Sequence, residues 1–120
     1  MKLINLTTHE VRIMSKGNIL TIPREPQEPA RVHETLTKTD AIDIQGTPVA
    51  VFEVDAELRG LPDPKPDTVY IVSAWLAKEA ALRFGRYEDL VFADDFIKDD
   101  EGFTYGAFKL RRFKSPQKGV

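Results

Sequence analysis

Six polar residues that stand at the ends of predicted strands or beside a predicted helix are the best candidates for chemistry in this sequence. An arginine guanidinium binds phosphate and carboxylate groups through paired hydrogen bonds, and a helix that starts at a serine leaves backbone amides free to receive an anion. A histidine adds a further hydrogen bond. We therefore expect one rim that binds a small anionic ligand, such as a nucleotide or a phosphate compound, formed by Thr7, His9, Arg31, Ser73, Arg86 and Asp89.

The two arginines of this set also have a simpler interpretation. Arg86 stands close to Glu88 and Asp89 in the sequence, and Arg31 stands close to Glu28 and Glu34. Exposed ion pairs of this kind contribute about 0–1 kcal/mol and carry no information about function. The sequence leaves both interpretations open.

No motif in the chain specifies a metal site or a nucleophile. His9 and His33 are the only histidines, and they lack the HxH, HxxxH and HExxH spacings of metal-binding pairs. Ser73 lacks the neighbouring glycines of a nucleophile elbow, so a helix N-cap is the better interpretation. The absence of cysteine excludes disulfides and thiolate chemistry. We expect no catalytic residue, no metal and no cofactor.

Two charged segments near the C-terminus have ordinary explanations. The acidic stretch from Asp94 to Glu101 is interrupted by Phe96 and Ile97, which favours a solvated hairpin turn over a calcium loop. Residues 108–118 mix basic and aromatic side chains, a pattern that suits single-stranded nucleic acid but also protects a strand edge from aggregation. The net charge of −2 makes nucleic acid an unlikely partner.

The composition is that of a small globular domain. Its 120 residues, 42% apolar and 30% charged, fit one domain, which we place at residues 1–113 with a flexible tail over 114–120. No apolar run approaches the ~20 residues of a membrane span, and the N-terminus lacks the apolar stretch of a secretory signal. We therefore expect a soluble, cytoplasmic protein without a membrane partner.

Strand signals dominate the predicted secondary structure. Apolar runs over 11–14 and 19–22 flank a turn that contains Gly17 and Asn18, which predicts a β-hairpin. Residues 49–58 alternate with period two, which predicts a strand with one buried face, and 69–72 are apolar on both faces, which is typical of a central strand.

One helix is predicted at about residues 74–84. Apolar residues recur there at helical spacing, Ser73 is suited to the N-cap, and Gly85 is a natural stop. The expected fold is a single small α+β domain with a mostly antiparallel sheet, for which a barrel-like closure is one option. Its expected core includes Phe52, Val54, Ile71, Val72, Leu76 and Phe84.

Several short motifs follow one another along the chain: Asn5-Leu6-Thr7-Thr8-His9, Ala30-Arg31-Val32, Gly60-Leu61-Pro62, Tyr70-Ile71-Val72-Ser73, Arg86 with Asp89-Leu90, and the turn from Asp100 to Gly106. Their order resembles that of a group of small uncharacterised bacteriophage and prophage proteins that open on an NLTPH-like motif. Thr8 and Ala93 depart from that pattern, because the family has proline at the first position and often at the second. The resemblance implies a phage-type origin and no particular reaction.

Three functions fit these observations. The first is a non-catalytic, phage-type accessory protein that binds a nucleotide-like small molecule. The second is a structural or host-interaction protein of a phage, which contacts a host or phage protein through exposed strand edges and proline loops. The third is a hydrolase in which Asp89 orients His9 as a base. We prefer the first, because nothing in the sequence fixes a nucleophile.

Overall fold

The computed structural model describes residues 1–102 and 104–114, and within them the chain is mostly β-strand with one helix. Residues 115–120, which make up most of the predicted tail, lie outside the described residues. No helix in the described part is long and apolar enough to cross a membrane. The elements are β1 Lys2–Asn5, β2 Val11–Ser15, β3 Asn18–Ile22, β4 Arg31–Ile44, β5 Thr47–Arg59, β6 Thr68–Ile71, α1 Ala74–Arg83, β7 Leu90–Lys98 and β8 Thr104–Arg111.

In the described chain, six strands form one mixed sheet in the order β1-β6-β7-β8-β2-β3. The pairs β1/β6, β6/β7 and β2/β8 are parallel, whereas β2/β3 and β7/β8 are antiparallel. The α+β character is as predicted. Antiparallel pairing covers most of the paired positions, as expected, but three of the six strand pairs in the described chain are parallel. For the β6/β7 pair, α1 provides the crossover that parallel neighbours require.

The sheet curls into a half-barrel because its two outer strands approach each other at one end. Asn5, the last residue of β1, forms an isolated parallel bridge with Arg24, just after β3. The backbone N–H of Glu25 donates to the carbonyl oxygen of Asn5 over 2.9 Å. This contact brings the loop after β1 against the end of the β2/β3 hairpin.

The β2/β3 hairpin is as predicted, but its turn lies one residue earlier than expected, because Asn18 is already the first residue of β3. Lys16 and Gly17 both have positive φ, at 50° and 79°. Two such residues form the type I′ turn that matches the twist of the flanking strands. Its register pairs Val11 with Ile22 and Ser15 with Asn18.

Helix α1 is also as predicted, and its inner face forms much of the core. The Ser73 side chain accepts a hydrogen bond from the Leu76 N–H at 3.1 Å. At the other end Gly85 has a φ of 65°, and the Arg86 N–H donates to the Ala80 carbonyl at 3.0 Å. The buried helix positions are Leu76, Ala77, Ala80 and Ala81. The first three pack in a cluster with Leu6, Val32, Tyr70, Val72, Leu90 and Phe92.

Phe84 is exposed, contrary to the prediction, although it continues the same apolar stripe. It is the C-cap residue of α1, and half of its surface (50%) remains accessible. Phe84 follows the last turn of α1 that packs in the core, so its side chain lies beyond the core. Ile71, Val72 and Leu76 are buried as predicted.

The β4/β5 hairpin projects from the rest of the molecule. Only its base joins the core, where Val32 is buried and Leu58 is partly buried. Phe52 and Val54 were expected in the core, but they are 52% and 46% exposed. The radius of gyration, 18.4 Å, also exceeds the roughly 14 Å of a compact domain of this length. We call residues 33–44 and 47–57 the arm.

Candidate functional site

An open groove of about 670 Å³ lies where the loop after β1, the carboxyl end of β6 and the first turn of α1 meet. This volume is in the usual range for small-molecule sites, which is roughly 300–1,000 Å³. The position is also a usual one, because ligands of sheets with helical crossovers bind beyond the carboxyl ends of the parallel strands.

The floor and one wall of the groove are apolar. Val11 of β2, Ile71 of β6 and Phe92 and Phe96 of β7 line it. Phe92 is nearly buried and stacks on Phe113, with ring centroids 4.6 Å apart. This stacking supports the floor from behind, so a flat apolar group can rest on a fixed surface.

The opposite wall is polar, and it contains three of the predicted site residues. Thr7, His9 and Ser73 line the groove. The His9 side chain is exposed, whereas Thr7 is partly buried. Sequence reasoning therefore found this wall, which consists of the loop after β1 and the start of α1.

Asn5 holds the loop that carries Thr7 and His9, and it is fully buried. Its Nδ2 donates to the carbonyl oxygens of His9 at 2.8 Å and Ile22 at 3.0 Å. Its Oδ1 accepts from the Thr7 backbone N–H at 2.9 Å, and the Thr7 hydroxyl lies 2.6 Å away. Both N–H groups and the oxygen of this amide are therefore engaged.

Sequence reasoning missed this role of Asn5, although a signal was present. An asparagine at the end of an apolar strand, two residues before a threonine, is typical of an Asx-turn. The turn fixes the chain direction after β1 and presents His9 at the groove.

The start of α1 borders the groove, which Ser73 and Ala74 line. Ser73 uses its side chain for the Leu76 amide and its carbonyl for the Ala77 amide, the latter at 3.0 Å. The first amides of an α-helix have no acceptor within the helix. Those of Ala74 and Trp75 are thus the ones left for an acceptor from outside, at the positive end of the helix dipole.

Arg86 and Asp89 lie away from the groove and bind each other. The Arg86 Nε and Nη2 atoms lie 3.1 and 2.8 Å from the two Asp89 carboxylate oxygens. Nη2 also donates to the Pro62 carbonyl at 2.7 Å, and the guanidinium lies 6.0 Å from the centre of the Tyr70 ring. This cluster fastens the loop before β6 to the end of α1.

The structure does not bring Arg86 to the rim on which we expected it, and the helix is the reason. Ser73 precedes α1 and Arg86 follows it, so the ten residues of the helix separate the two by roughly 15 Å. The pairing of Arg86 with Asp89 is the alternative that the sequence left open, although here the pair is mostly buried.

Arg31 is not at the groove either. It begins β4, is exposed, and stands opposite Arg59 in the hairpin register. Arg59 donates a hydrogen bond to Glu57, and this bond with its positive charge lowers the pKa of the Glu57 carboxyl. The charges of Arg31, Arg59 and Glu57 therefore lie at the base of the β4/β5 hairpin and not at the groove.

Arg12 supplies the guanidinium that does line the groove. Its Nε donates to Glu10 at 2.9 Å, and both side chains are close to half exposed. On the far side Asp94 forms an ion pair with Arg111. Within the described residues, no three histidine or carboxylate side chains converge in a way that would hold a metal ion.

Comparisons with protein-family models, with curated proteins and with solved structures find no match. The geometry of the groove is therefore the basis on which a function is assigned.

Proposed function

We propose that this protein is a non-catalytic binding module whose groove takes a small molecule with an anionic group and an aromatic or apolar body. A nucleotide is the class that fits this description best. The observation that carries the proposal is the combination, in one groove, of an apolar floor with Phe92 and Phe96 and a polar wall at the start of α1.

The anionic group is placed at the polar wall. The amides of Ala74 and Trp75 and the helix dipole favour a negative charge there, and His9 adds a donor. Arg12 is close enough to the groove to contribute once it exchanges Glu10 for the ligand. The aromatic body then rests on the apolar floor, where Phe96 is 54% exposed and free to stack.

Two contacts support a non-catalytic role. The Ser73 hydroxyl already accepts the Leu76 N–H and serves as the helix cap. Asp89, the partner that a histidine base would need, is held by Arg86 away from His9. A phage-type accessory protein that sequesters a nucleotide in the host cytoplasm would need no catalytic group, and the resemblance of the chain to small phage proteins supports that setting.

A structural or interaction role is the second candidate, and the arm favours it. The arm leaves Leu36, Phe52 and Val54 largely uncovered on one face. Apolar side chains grouped in this way mark interaction surfaces. This role is compatible with the first, because no arm residue lines the groove.

The small-molecule proposal is tested by ligand-induced stabilisation. Adenosine 5′-monophosphate, adenosine 5′-triphosphate and inorganic phosphate are titrated against the protein, and unfolding is followed. A ligand at 100 times its Kd stabilises the folded state by about 2.7 kcal/mol. The only tryptophan of the chain, Trp75, stands at the start of α1, so its fluorescence should change over the same concentrations.

Two matched pairs of variants locate the binding. His9→Ala and Phe96→Ala should each weaken binding about tenfold, the equivalent of 1.4 kcal/mol. The control His33→Ala removes the histidine of the arm, and the control Phe108→Ala removes a phenylalanine that is equally exposed (55%) but does not line the groove. Absence of stabilisation by all three probes, or equal loss in variants and controls, would contradict the proposal.

A further inference from the structure

The arm is a two-stranded ribbon that no other strand of the described chain covers. β4 and β5 pair with each other along 13 register positions, from Arg31 opposite Arg59 to Ile44 opposite Thr47. An isolated two-stranded hairpin is at best marginally stable in water. Both of its long edges also present unpaired backbone groups to any strand that approaches.

The two edges of the arm differ in how they are protected. On β5, Glu53, Asp55 and Glu57 project from one face at alternate positions, and charges of one sign discourage pairing along that edge. On β4 the stretch from His33 to Thr39 carries three threonines and the two opposite charges of Glu34 and Lys38. The β4 edge is therefore the one open to a further strand.

We infer that the β4 edge pairs with the β4 edge of a second copy of this chain, antiparallel and centred on Leu36, so that two arms form one four-stranded sheet. In this register the residue numbers of the two residues in each facing pair add up to 72. Leu36 faces Leu36 of the second copy, and each Glu34 faces a Lys38. Thr35 and Thr37 face each other in the same way.

Charge complementarity is the reason for choosing a second copy as the partner. Opposite charges and threonine pairs that face each other across antiparallel strands contribute about 0.2–1 kcal/mol each, and like charges there are destabilising. The centred register forms two Glu34–Lys38 pairs and two Thr35–Thr37 pairs. It also groups both copies of Leu36 with Val54, its neighbour across the hairpin.

The rest of the arm is consistent with this register. A bulge between Lys38 and Asp40 ends the regular stretch of β4, so the paired segment is confined to about 33–39. The two β5 strands would lie roughly 14 Å apart, about three strand spacings. Their carboxylates are then separated by more than the ~8 Å screening length at physiological salt.

A single cysteine tests the register directly, because the chain has no cysteine of its own. Leu36→Cys places two thiols directly opposite each other, with Cα atoms about 4.5–5.5 Å apart. That separation suits a disulfide. Val54→Cys, opposite Leu36 in the same hairpin and also exposed, is the control, because its two copies would lie too far apart.

The expected result under mild oxidation is a covalent dimer of the Leu36→Cys protein and a monomer of the Val54→Cys protein. Equal cross-linking of the two variants, or none of the Leu36→Cys variant, would overturn the inference. Capture of another protein by the arm without self-association would have the same consequence.

A charge exchange tests the pairing without a covalent bond. Glu34→Lys turns both ion pairs into Lys–Lys contacts and should weaken dimerisation about tenfold in sedimentation equilibrium. The double variant Glu34→Lys/Lys38→Glu restores opposite charges and should return the dissociation constant to within about threefold. Glu53→Lys, on β5, is the control and should leave dimerisation unweakened. A wild-type protein that stays monomeric at millimolar concentration, or a double variant that is no better than the single one, would refute the pairing.

Discussion

Asn5 is the residue on which the polar wall of the groove depends. It is buried, and its side-chain amide binds the backbone on both sides of the half-barrel closure. An aspartate has the same shape but no N–H to donate. At this position it would leave the Ile22 carbonyl without its donor, remove one of the two donors of the His9 carbonyl and bury a negative charge.

We therefore expect Asn5→Asp to lower the free energy of unfolding by about 2–4 kcal/mol, because unsatisfied buried polar groups cost about 1–3 kcal/mol each and charged ones more. Urea unfolding at neutral pH measures the change. Asn18→Asp, at the exposed end of the β2/β3 turn, is the matched control and should stay within about 0.5 kcal/mol of wild type. Equal effects of the two variants would mean that Asn5 does not close the half-barrel.

Arg86 is a structural residue, and its replacement should reveal this. Its guanidinium makes three hydrogen bonds and is only 19% exposed. Arg86→Ala should cost about 1.5–3 kcal/mol of stability, the range for hydrogen bonds to charged groups. It should leave the affinity for nucleotide unchanged.

The control for this prediction is Arg59→Ala. Arg59 pairs with Glu57, and the two side chains are 44% and 60% exposed, so its loss should cost much less stability than that of Arg86. If the Arg86→Ala protein is as stable as wild type but no longer binds a nucleotide, Arg86 belongs to the binding site.

At the scale of secondary-structure elements, local sequence signals predicted the β2/β3 hairpin and α1. They did not predict which other elements pack against each face of a strand or helix. Gly17 and Ser73 act on their immediate neighbours, so the sequence predicted the β2/β3 hairpin and the start of α1, although the second residue of the turn is Lys16 and not Asn18. The period of two in β5 indicated which face is apolar. Whether another element packs on that face depends on tertiary placement, and for Phe52 none of the described chain does so.

A pair of core and arm variants tests this difference. Leu76 is fully buried in the cluster beneath α1, so Leu76→Ala should cost about 2–5 kcal/mol. Phe52→Ala, on the arm, should cost less than about 1 kcal/mol when measured at low protein concentration, since half of its surface is already in water. A large loss at Phe52 in a monomeric protein would mean that the arm folds back on the domain.

At the scale of the whole molecule, the topology decides which predicted residues meet. The β6–α1–β7 unit is parallel, so the start of α1 lies at one end of the sheet and its end at the other. The sequence contained the strand, the helix and the next strand, but not their relative direction. A mostly antiparallel sheet was expected, and within this parallel crossover the length of α1 separates Arg86 from Ser73 and the groove.

The groove and the arm are separate sites for the two functions that we propose. The arm carries six carboxylates and one lysine, which is far more acidic than the net charge of −2 for the whole chain. An anionic ligand is therefore repelled from the arm and directed to the rest of the molecule. Dimerisation through β4 would leave both grooves open, because no arm residue lines the groove.

The measurement that tests the groove most directly is a two-dimensional ¹H–¹⁵N NMR titration with adenosine 5′-monophosphate. A bound phosphate at the start of α1 and a base on the apolar floor should shift the amide resonances of Ala74, Trp75 and His9 most, with Phe96 next. The amides of the arm should not move. Saturating shifts confined to residues that line the groove or stand at the start of α1 are the predicted result. Shifts centred on the arm, or on Lys109 and Arg111 at the basic end of β8, would contradict the account, as would no shifts at millimolar nucleotide.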